Sequence, residues 1–355
     1  MTEGEKGMYG SMRKRVGRFR ILCALWLALC VMLVASAGAE TVSFTWNEVN
    51  GEAYGATVGA RVFRQKLQEL SGGTMDIDLY VNGVLGFEAV SMQSLQMGTL
   101  DIFRGNASSL PDYGADLIGA TGMPFLFKDI QEFERMAESP LGQELLDSVE
   151  AADCGFVAIG WMVEVPRNLF LTDEAYERLG RPDRLRLEML RNLTIRVPAT
   201  NTMVRTVEAL GALPVEITYS ELGNSLKSGN IDGAENGVST YLDLGFYQDA
   251  PYYVEDAHTF GCGVILMNAD AWHGLTEQQQ QWFREAAKVA GRACYEHNLQ
   301  EETTCYARFG ELGVTSIPVE DLPAWEEACQ PFYEEQPEEV QAMVRRIREW
   351  RETAD

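Results

Sequence analysis

Histidine is almost missing from this sequence: His258, His273 and His297 are the only three among 355 residues. None of them accompanies a recognisable serine or cysteine nucleophile motif. No CxxC pair occurs, so a zinc site has no obvious ligand set. No Walker loop is present, and no GxGxxG follows a strand, which removes the usual signatures for nucleotides and dinucleotides. Cysteine gives no disulfide framework. Cys154, Cys262, Cys294, Cys305 and Cys329 follow the N-terminal segment, an odd number. Cys294 and Cys305 stand about 16 Å apart along one expected helix, too far to bridge. These absences weigh against catalysis, and no cofactor is expected.

Positive charge is also scarce: 29 Lys and Arg face 53 Asp and Glu, for a formal net charge of −24. Such a surface repels nucleic acid and anionic lipid, so no nucleic-acid partner is expected. If the chain binds an anion, it must do so through a local, buried cluster of cations, and individual arginines become the residues to watch. Six of those 29 lie within the first 39 residues. Residues 12–20 (MRKRVGRFR) are strongly basic, Ile21 to Val34 is almost wholly apolar, and Ala37-Gly38-Ala39 is a small-residue cleavage pattern. This three-part order reads as an export signal over residues 1–39, with Glu40 as the mature start and a periplasmic destination. The apolar run is shorter than the roughly 20 residues a spanning helix needs.

The rest of the chain is long enough for two domains and alternates strand and helix patterns, the grammar of an α/β layer architecture. Val42 to Trp46 reads as a buried strand. Ala53 to Leu70 has helical apolar spacing and stops at Gly72-Gly73, and Met75 to Val81 alternates as a strand. Phe87 to Met97 is an expected helix, followed by a short strand at Leu100–Phe103. The middle repeats this: strands at 156–162, 194–197, 214–217 and 231–234, with helices at 201–210 and 220–228, Ser220 being the expected cap of the second. Thr276 and Gln279 form a capping-box pattern, and the first strong stop after them is Gly313. Some 36 residues of helix would run roughly 54 Å, longer than a small domain is wide. A single strut crossing both domains is the expectation.

Three strings carry chemistry. They are NGVLGFE with QMGTLDI (82–88 and 96–102), IRVP (195–198), and ALGALPVEITYSELGNSLKSGNIDGAEN (209–236). With PFLF at 124–127, they resemble in order and spacing the extracytoplasmic solute-binding proteins of tripartite ATP-independent periplasmic (TRAP) transporters, DctP-like family. The resemblance implies two α/β domains hinged around a ligand cleft, with one long helix spanning both. The expected division is 40–164 plus 262–301 for the first domain and 165–261 plus 302–355 for the second. It also implies a small organic acid as ligand, a monomer, and two membrane partners, a small four-helix and a large twelve-helix protein.

The arginine of the IRVP motif, Arg196, is the expected carboxylate anchor: a guanidinium offers two parallel donors that match a carboxylate. Arg167 in VPRNLFLT is the second cation. It departs from the family pattern through Val165-Pro166 before it and a charged insert, 174–191, expected as a surface helix. Asn236 supplies an amide, with Gly237 where the family usually has proline, and Tyr219 stands where an aromatic ring often faces the ligand. From the first domain, Asn47, Glu48, Glu88, Arg104 and Asn106 follow strands and are expected to face the cleft, with Trp161 and Glu164 along its wall. The polar residues Glu88, Asn106 and Asn47 favour a hydroxylated sugar acid such as a uronate, with a dicarboxylate next. Two other classes stay open. One is a secreted hydrolase or lyase using paired carboxylates such as Glu88 and Glu164; the other is a ligand-binding sensor subunit.

Overall fold

The computed structural model describes residues 41–354, so the expected export signal lies outside the described residues. Ten strands form one curled sheet in the order β2 (Met75–Tyr80), β1 (Val42–Asn47), β3 (Ile102–Asn106), β9 (Thr259–Asn268), β4 (Phe156–Leu171), β7 (Gly233–Gly237), β5 (Thr194–Val197) and β6 (Leu213–Glu216), with β8 (Tyr252–Glu255) branching from β4 and β10 (Thr315–Pro318) pairing β8. One half joins β1 (Val42–Asn47), β2 (Met75–Tyr80) and β3 (Ile102–Asn106) in parallel. The other half joins β5 (Thr194–Val197), β6 (Leu213–Glu216) and β7 (Gly233–Gly237), also in parallel. The outer branch is β8 (Tyr252–Glu255) with β10 (Thr315–Pro318).

Two antiparallel strands run between the halves. These are β4 (Phe156–Leu171, 16 residues) and β9 (Thr259–Asn268, 10 residues). The strand expected at 156–162 therefore continues through Pro166. A bulge makes this possible: between Val163 and Pro166 two residues of β4, Glu164 and Val165, oppose the single residue Gly261 of β9. A Cβ on Gly261 would lie 2.5 Å from Glu164 Cβ, so only glycine lets the carboxylate lie where it does. Alternation gives no warning of β9, because every one of its ten residues is buried.

Helix α1 (Gly55–Ser71) covers the first half, and α2 (Glu88–Gln96) leads into β3. Helices α3 (Ile130–Ala137) and α4 (Pro140–Ala151) lie against β4. In the second half, α5 (Asn201–Ala209) follows β5, and α6 (Val238–Asp243) follows β7. The long helix is α7 (Glu277–Ala307, 31 residues), started by the capping box of Thr276 and Gln279. It ends at Arg308, and a further short helix, Phe309–Leu312, reaches Gly313 in the left-handed region. Its first turns pack on α1 and β4, and its last on α6, so it spans both halves as expected. Small residues allow this close approach. A Cβ on Gly291 would stand 2.4 Å from the Trp161 carbonyl. Beneath α1 and α7 lies an apolar cluster built on Trp46, Phe63, Ile77, Met162 and Phe283. A second, around Phe170, Tyr241 and Tyr253, fills the other half.

Some local expectations are corrected. The insert 174–191 is not one surface helix: only Asp173–Arg178 is helical, followed by a 3-10 turn at Leu187–Leu190. Leu185 is buried and bridges to Val319, which ties the segment down and breaks the helix. Ser220 does not cap a helix. It lies inside the 3-10 turn Tyr219–Glu221 and its hydroxyl meets that of Thr218. The last helix, α8 (Glu338–Ala354), packs on residues 116–122. Among the described residues no helix is long and apolar enough to cross a membrane.

Candidate ligand-binding site

The two halves of the sheet leave a cavity of about 410 Å³ between them, lined from both sides. Strand period places its principal cation. In β5, Ile195 and Val197 point into the apolar core, so Arg196 points to the opposite face and into the cavity. Arg196 is 2 % exposed. Its Nε donates to the Ile217 carbonyl at 2.8 Å. Arg104, which is also buried, and the partly buried Arg167 and Arg351 are each paired with a carboxylate, but Arg196 has none at pairing distance among the described residues. Burial brings its pKa down to about 10, with the attraction of Glu235 and the repulsion of Arg167 as smaller influences. Holding an uncompensated charge out of water is costly, so Arg196 sits in this cavity at the expense of stability.

Arg167 also lines the cavity, but its charge is already answered. Its Nε and Nη2 meet Glu235 Oε2 and Oε1 at 2.6 and 2.8 Å, a two-point pair. Burial works against the guanidinium, and the Glu235 carboxylate outweighs it, raising the pKa. Glu235 is fully buried. Burial pushes its pKa up, but Arg167 and His258 prevail and bring it down to about 2. His258 Nε2 lies 3.7 Å from Glu235 Oε2, beyond hydrogen-bond range but within reach of charge attraction. Its Nδ1 contacts Asp256 Oδ2 at 2.7 Å, and burial is overcome by Asp256 and Glu235 to hold the ring at about 9. Asp256, His258, Glu235 and Arg167 thus form a buried chain of alternating charge.

Asn236 lines the cavity at the end of β7. Its Oδ1 accepts from Gly237 N at 2.9 Å, which leaves the amide nitrogen as the group to offer. Tyr219 lies across the mouth from Phe87, their ring centroids 6.1 Å apart, and Thr202 Oγ1 donates to the Ser108 carbonyl at 3.1 Å. The two halves therefore touch at the rim.

The first half brings Glu88, Arg104, Asn106 and, from the bulge, Glu164 to the cavity wall. Arg104 is 3 % exposed, with Nη2 3.0 Å from Glu48 and Nη1 3.0 Å from Glu164. Glu88 accepts from Asn106 N, Asn106 Nδ2 and Ser109 Oγ at 3.1, 3.0 and 2.6 Å. Eight of the expected residues, Arg196, Arg167, Asn236, Tyr219, Glu88, Asn106, Arg104 and Glu164, are thus brought together. Three are not. Asn47 is buried behind the wall, donating to the Gly86 carbonyl and Ser91 Oγ, both at 2.8 Å. Glu48 is wholly buried and serves Arg104 rather than the cavity. Trp161 points to the other face of β4, where its Nε1 donates to the Gly142 carbonyl at 3.1 Å and its ring packs on Phe133. Tyr54, Thr200, Thr240 and Met203 line the cavity without having been expected. Nothing in their local sequence separates them from ordinary loop and helix residues.

Residues 47–339 match the sequence profile of the bacterial extracellular solute-binding proteins, family 7. The C4-dicarboxylate-binding periplasmic protein DctP of Rhodobacter capsulatus is 24 % identical over 330 residues, 91 % of this chain and 95 % of that protein. A TRAP periplasmic solute-binding protein from Bradyrhizobium sp. BTAi1, solved in complex with α/β-D-galacturonate, is 25 % identical. It superposes with a TM-score of 0.80 over 86 % of this chain and 99 % of its own. One from Pseudomonas putida F1 with bound D-glucuronate is 24 % identical with a TM-score of 0.79, over 86 % of this chain and 96 % of its own. With a profile match over most of its length and the cleft architecture that goes with it, the chain belongs to the family 7 bacterial extracellular solute-binding proteins.

Proposed function

We propose that this chain is the periplasmic solute-binding component of a TRAP transporter and that it carries a sugar acid of the uronate class. The observation that carries the reading is Arg196, a buried cation facing the cavity without a carboxylate of its own. A ligand carboxylate completes it, with the Asn236 amide and Arg167 alongside. The opposite wall, with Glu88, Asn106 and Glu164, suits hydroxyl groups, which donate to carboxylates, and repels a second ligand carboxylate. The galacturonate complex of the Bradyrhizobium relative supports the same class. The DctP relative keeps a dicarboxylate as the second reading.

Other parts of the proposal follow the same pattern. Residues 1–39 are a cleaved export signal. Residues 40–164 with 262–301 and residues 165–261 with 302–355 are the two domains, which close on the ligand about β4, β9 and α7. Delivery is to a small four-helix and a large twelve-helix membrane protein, by a monomer that performs no reaction. Glu88 and Glu164 make poor acid–base partners for hydrolysis, since the first accepts three hydrogen bonds and the second is paired with Arg104.

Calorimetry with D-galacturonate, D-glucuronate, galactarate and succinate tests the ligand class. Binding of a uronate at least ten times tighter than of either diacid is expected. Tighter binding of succinate would sink the uronate reading, and turnover of any ligand would sink the claim that the protein only binds.

A further inference from the structure

Two C-terminal helical segments, Gln330–Glu334 and α8, contribute neither Tyr333 nor Arg351 to the cavity lining, yet through these residues they hold the loop on which the site's buried charge chain rests. That loop is Pro124–Phe127. The Tyr333 hydroxyl donates to the Pro124 carbonyl at 2.6 Å. Arg351, on α8, donates from Nη1 to the Leu126 carbonyl and from Nε to Glu132 Oε1 at 2.8 Å. Glu132 in turn accepts from Lys128 N at 2.6 Å. The residue between the two gripped carbonyls, Phe125, donates its backbone N–H to the His258 carbonyl at 2.8 Å.

His258 is the middle of the chain that ends on Arg167. The groups facing its ring are Asp256 on its own loop and Glu235 on β7, and Glu235 holds Arg167 of β4. The loop is pinned on its other side too: Ala257 N donates to Asn168 Oδ1 at 2.8 Å, and Leu169 N donates to Asp256 Oδ1 at 2.9 Å. Where the two segments meet, Phe125 and Ala257 both sit at positive φ, 57° and 42°. Neither is glycine. A side-chain-bearing residue keeps that conformation only where its surroundings over-determine it, and the C-terminal clasp is one of the restraints that do so. A crevice of about 570 Å³, lined by Phe125, Asp256, Tyr333 and Arg351 among others, brings the solvent-facing end of this arrangement to the surface.

We infer that Tyr333 and Arg351 are positioning residues for the ligand site, acting through Phe125, His258 and Glu235 on the orientation of Arg167. Neither touches the cavity. The inference rests on the proposed reading that Arg167 faces a ligand carboxylate.

The test uses the full mature chain with Tyr333→Phe, Arg351→Met and Arg351→Lys. D-Galacturonate affinity is measured by calorimetry, and the His258 ring nitrogens are observed by NMR without ligand. Tyr333→Phe and Arg351→Met should each weaken galacturonate binding by about 5- to 20-fold, in the middle of the effects found between residues of one network. Arg351→Lys should recover part of the loss, and the His258 ring signals should shift in the two weakened variants. In an Arg167→Lys background the effect of Tyr333→Phe should shrink to less than about twofold, because the path ends at that guanidinium. Unchanged affinity, or a loss that multiplies undiminished with Arg167→Lys while the His258 signals stay put, overturns the inference. If wild-type protein ignores galacturonate, the uronate reading fails, while the His258 signals still decide whether the clasp governs the charge chain. Should Arg351→Met fail to fold, Tyr333→Phe, which deletes one oxygen, carries the test.

Discussion

Replacing Arg196 with methionine should make the empty protein more stable and at the same time abolish tight binding. Burial brings the guanidinium down to about 10. The fold therefore disfavours the charged form throughout the physiological range, and that penalty fades only as pH climbs above about 10 towards the ordinary arginine value. At about 1.4 kcal/mol per tenfold change in proton affinity, the penalty at neutral pH is on the order of 3 kcal/mol. Methionine removes it and fills most of the volume. It also strips the Ile217 carbonyl of a donor, which costs about 1–2 kcal/mol. A net gain of about 1–2 kcal/mol remains, or a melting point higher by about 2–6 °C. Binding should go the other way. A carboxylate brought into the closed cavity without its main partner loses about 2–5 kcal/mol, a factor of about 30 or more. Arg196→Lys should recover only part, since an ammonium lacks the planar fork. Differential scanning calorimetry with and without D-galacturonate reads both effects. The variant should melt above wild type without ligand, and wild type above the variant at saturating ligand. A variant that melts lower without ligand, or that keeps the ligand-induced rise, would refute the reasoning.

The buried charge chain predicts two pH limbs in denaturant midpoints. Glu235, at about 2 in the folded state, contributes stability present above the ordinary glutamate value and lost as pH falls through 2. His258, at about 9, contributes up to about 3 kcal/mol that is complete below pH 6.5 and lost as pH rises through 9. His258→Gln should flatten the alkaline limb. Glu134 is buried beside Glu138 and held up at about 7, with Arg292 4.0 Å away. Glu134→Gln should raise stability by about 1–2 kcal/mol at pH 8, above the folded value, and leave it nearly unchanged at pH 4, below the ordinary glutamate value, checked by melting at both pH values. Gly261→Ala puts a methyl group against Glu164 Cβ and should cost about 1–3 kcal/mol in chemical denaturation. Because it presses on the bulge, it should also weaken galacturonate binding; wild-type stability and affinity would speak against the bulge as a sterically filled joint.

What could be read from the residues was what local rules decide. Arg196 sits between two core-facing apolar residues on a four-residue strand, so its face follows from alternation alone, and Pro198 marks the strand's end. The capping box fixed the start of the long helix to the residue. What escaped depends on partners distant in sequence. Asn47 and Glu48 end a strand as expected of cleft residues, but their faces are set by Gly86, Ser91 and Arg104 from the next structural units. Alternation alone turns Trp161 away from Glu164, three residues on, and towards α4, but it would also turn Arg167 away from Glu164; the bulge at 164–165 is what lets both of these line the cavity, and it depends on Gly261 of a strand distant in sequence. Strand β9 carries no alternation because both of its faces are covered.

The charges around the cavity balance in a way that bears on selectivity. Arg167 is cancelled by Glu235, and His258 by Asp256, so the buried chain behind the site sums to nothing. Arg104 has two carboxylates against its one charge. Among the described residues lining the cavity, only Arg196 remains as unmatched positive charge, and it comes from the other half of the sheet than Glu88. A ligand with one carboxylate brings the Arg196 end to neutrality. A ligand with two must press the second against a wall where Glu88 and Glu164, with Glu48 behind them, outnumber the single charge of Arg104, in a site where exclusion of water strengthens the repulsion. Hydroxyl groups meet no such penalty there, because each can donate to a carboxylate oxygen. The same arithmetic says which single change should admit a diacid: Glu164→Gln leaves Arg104 with one carboxylate instead of two, and galactarate binding should rise relative to galacturonate in a competition experiment. An unchanged preference would mean that shape rather than charge selects the ligand.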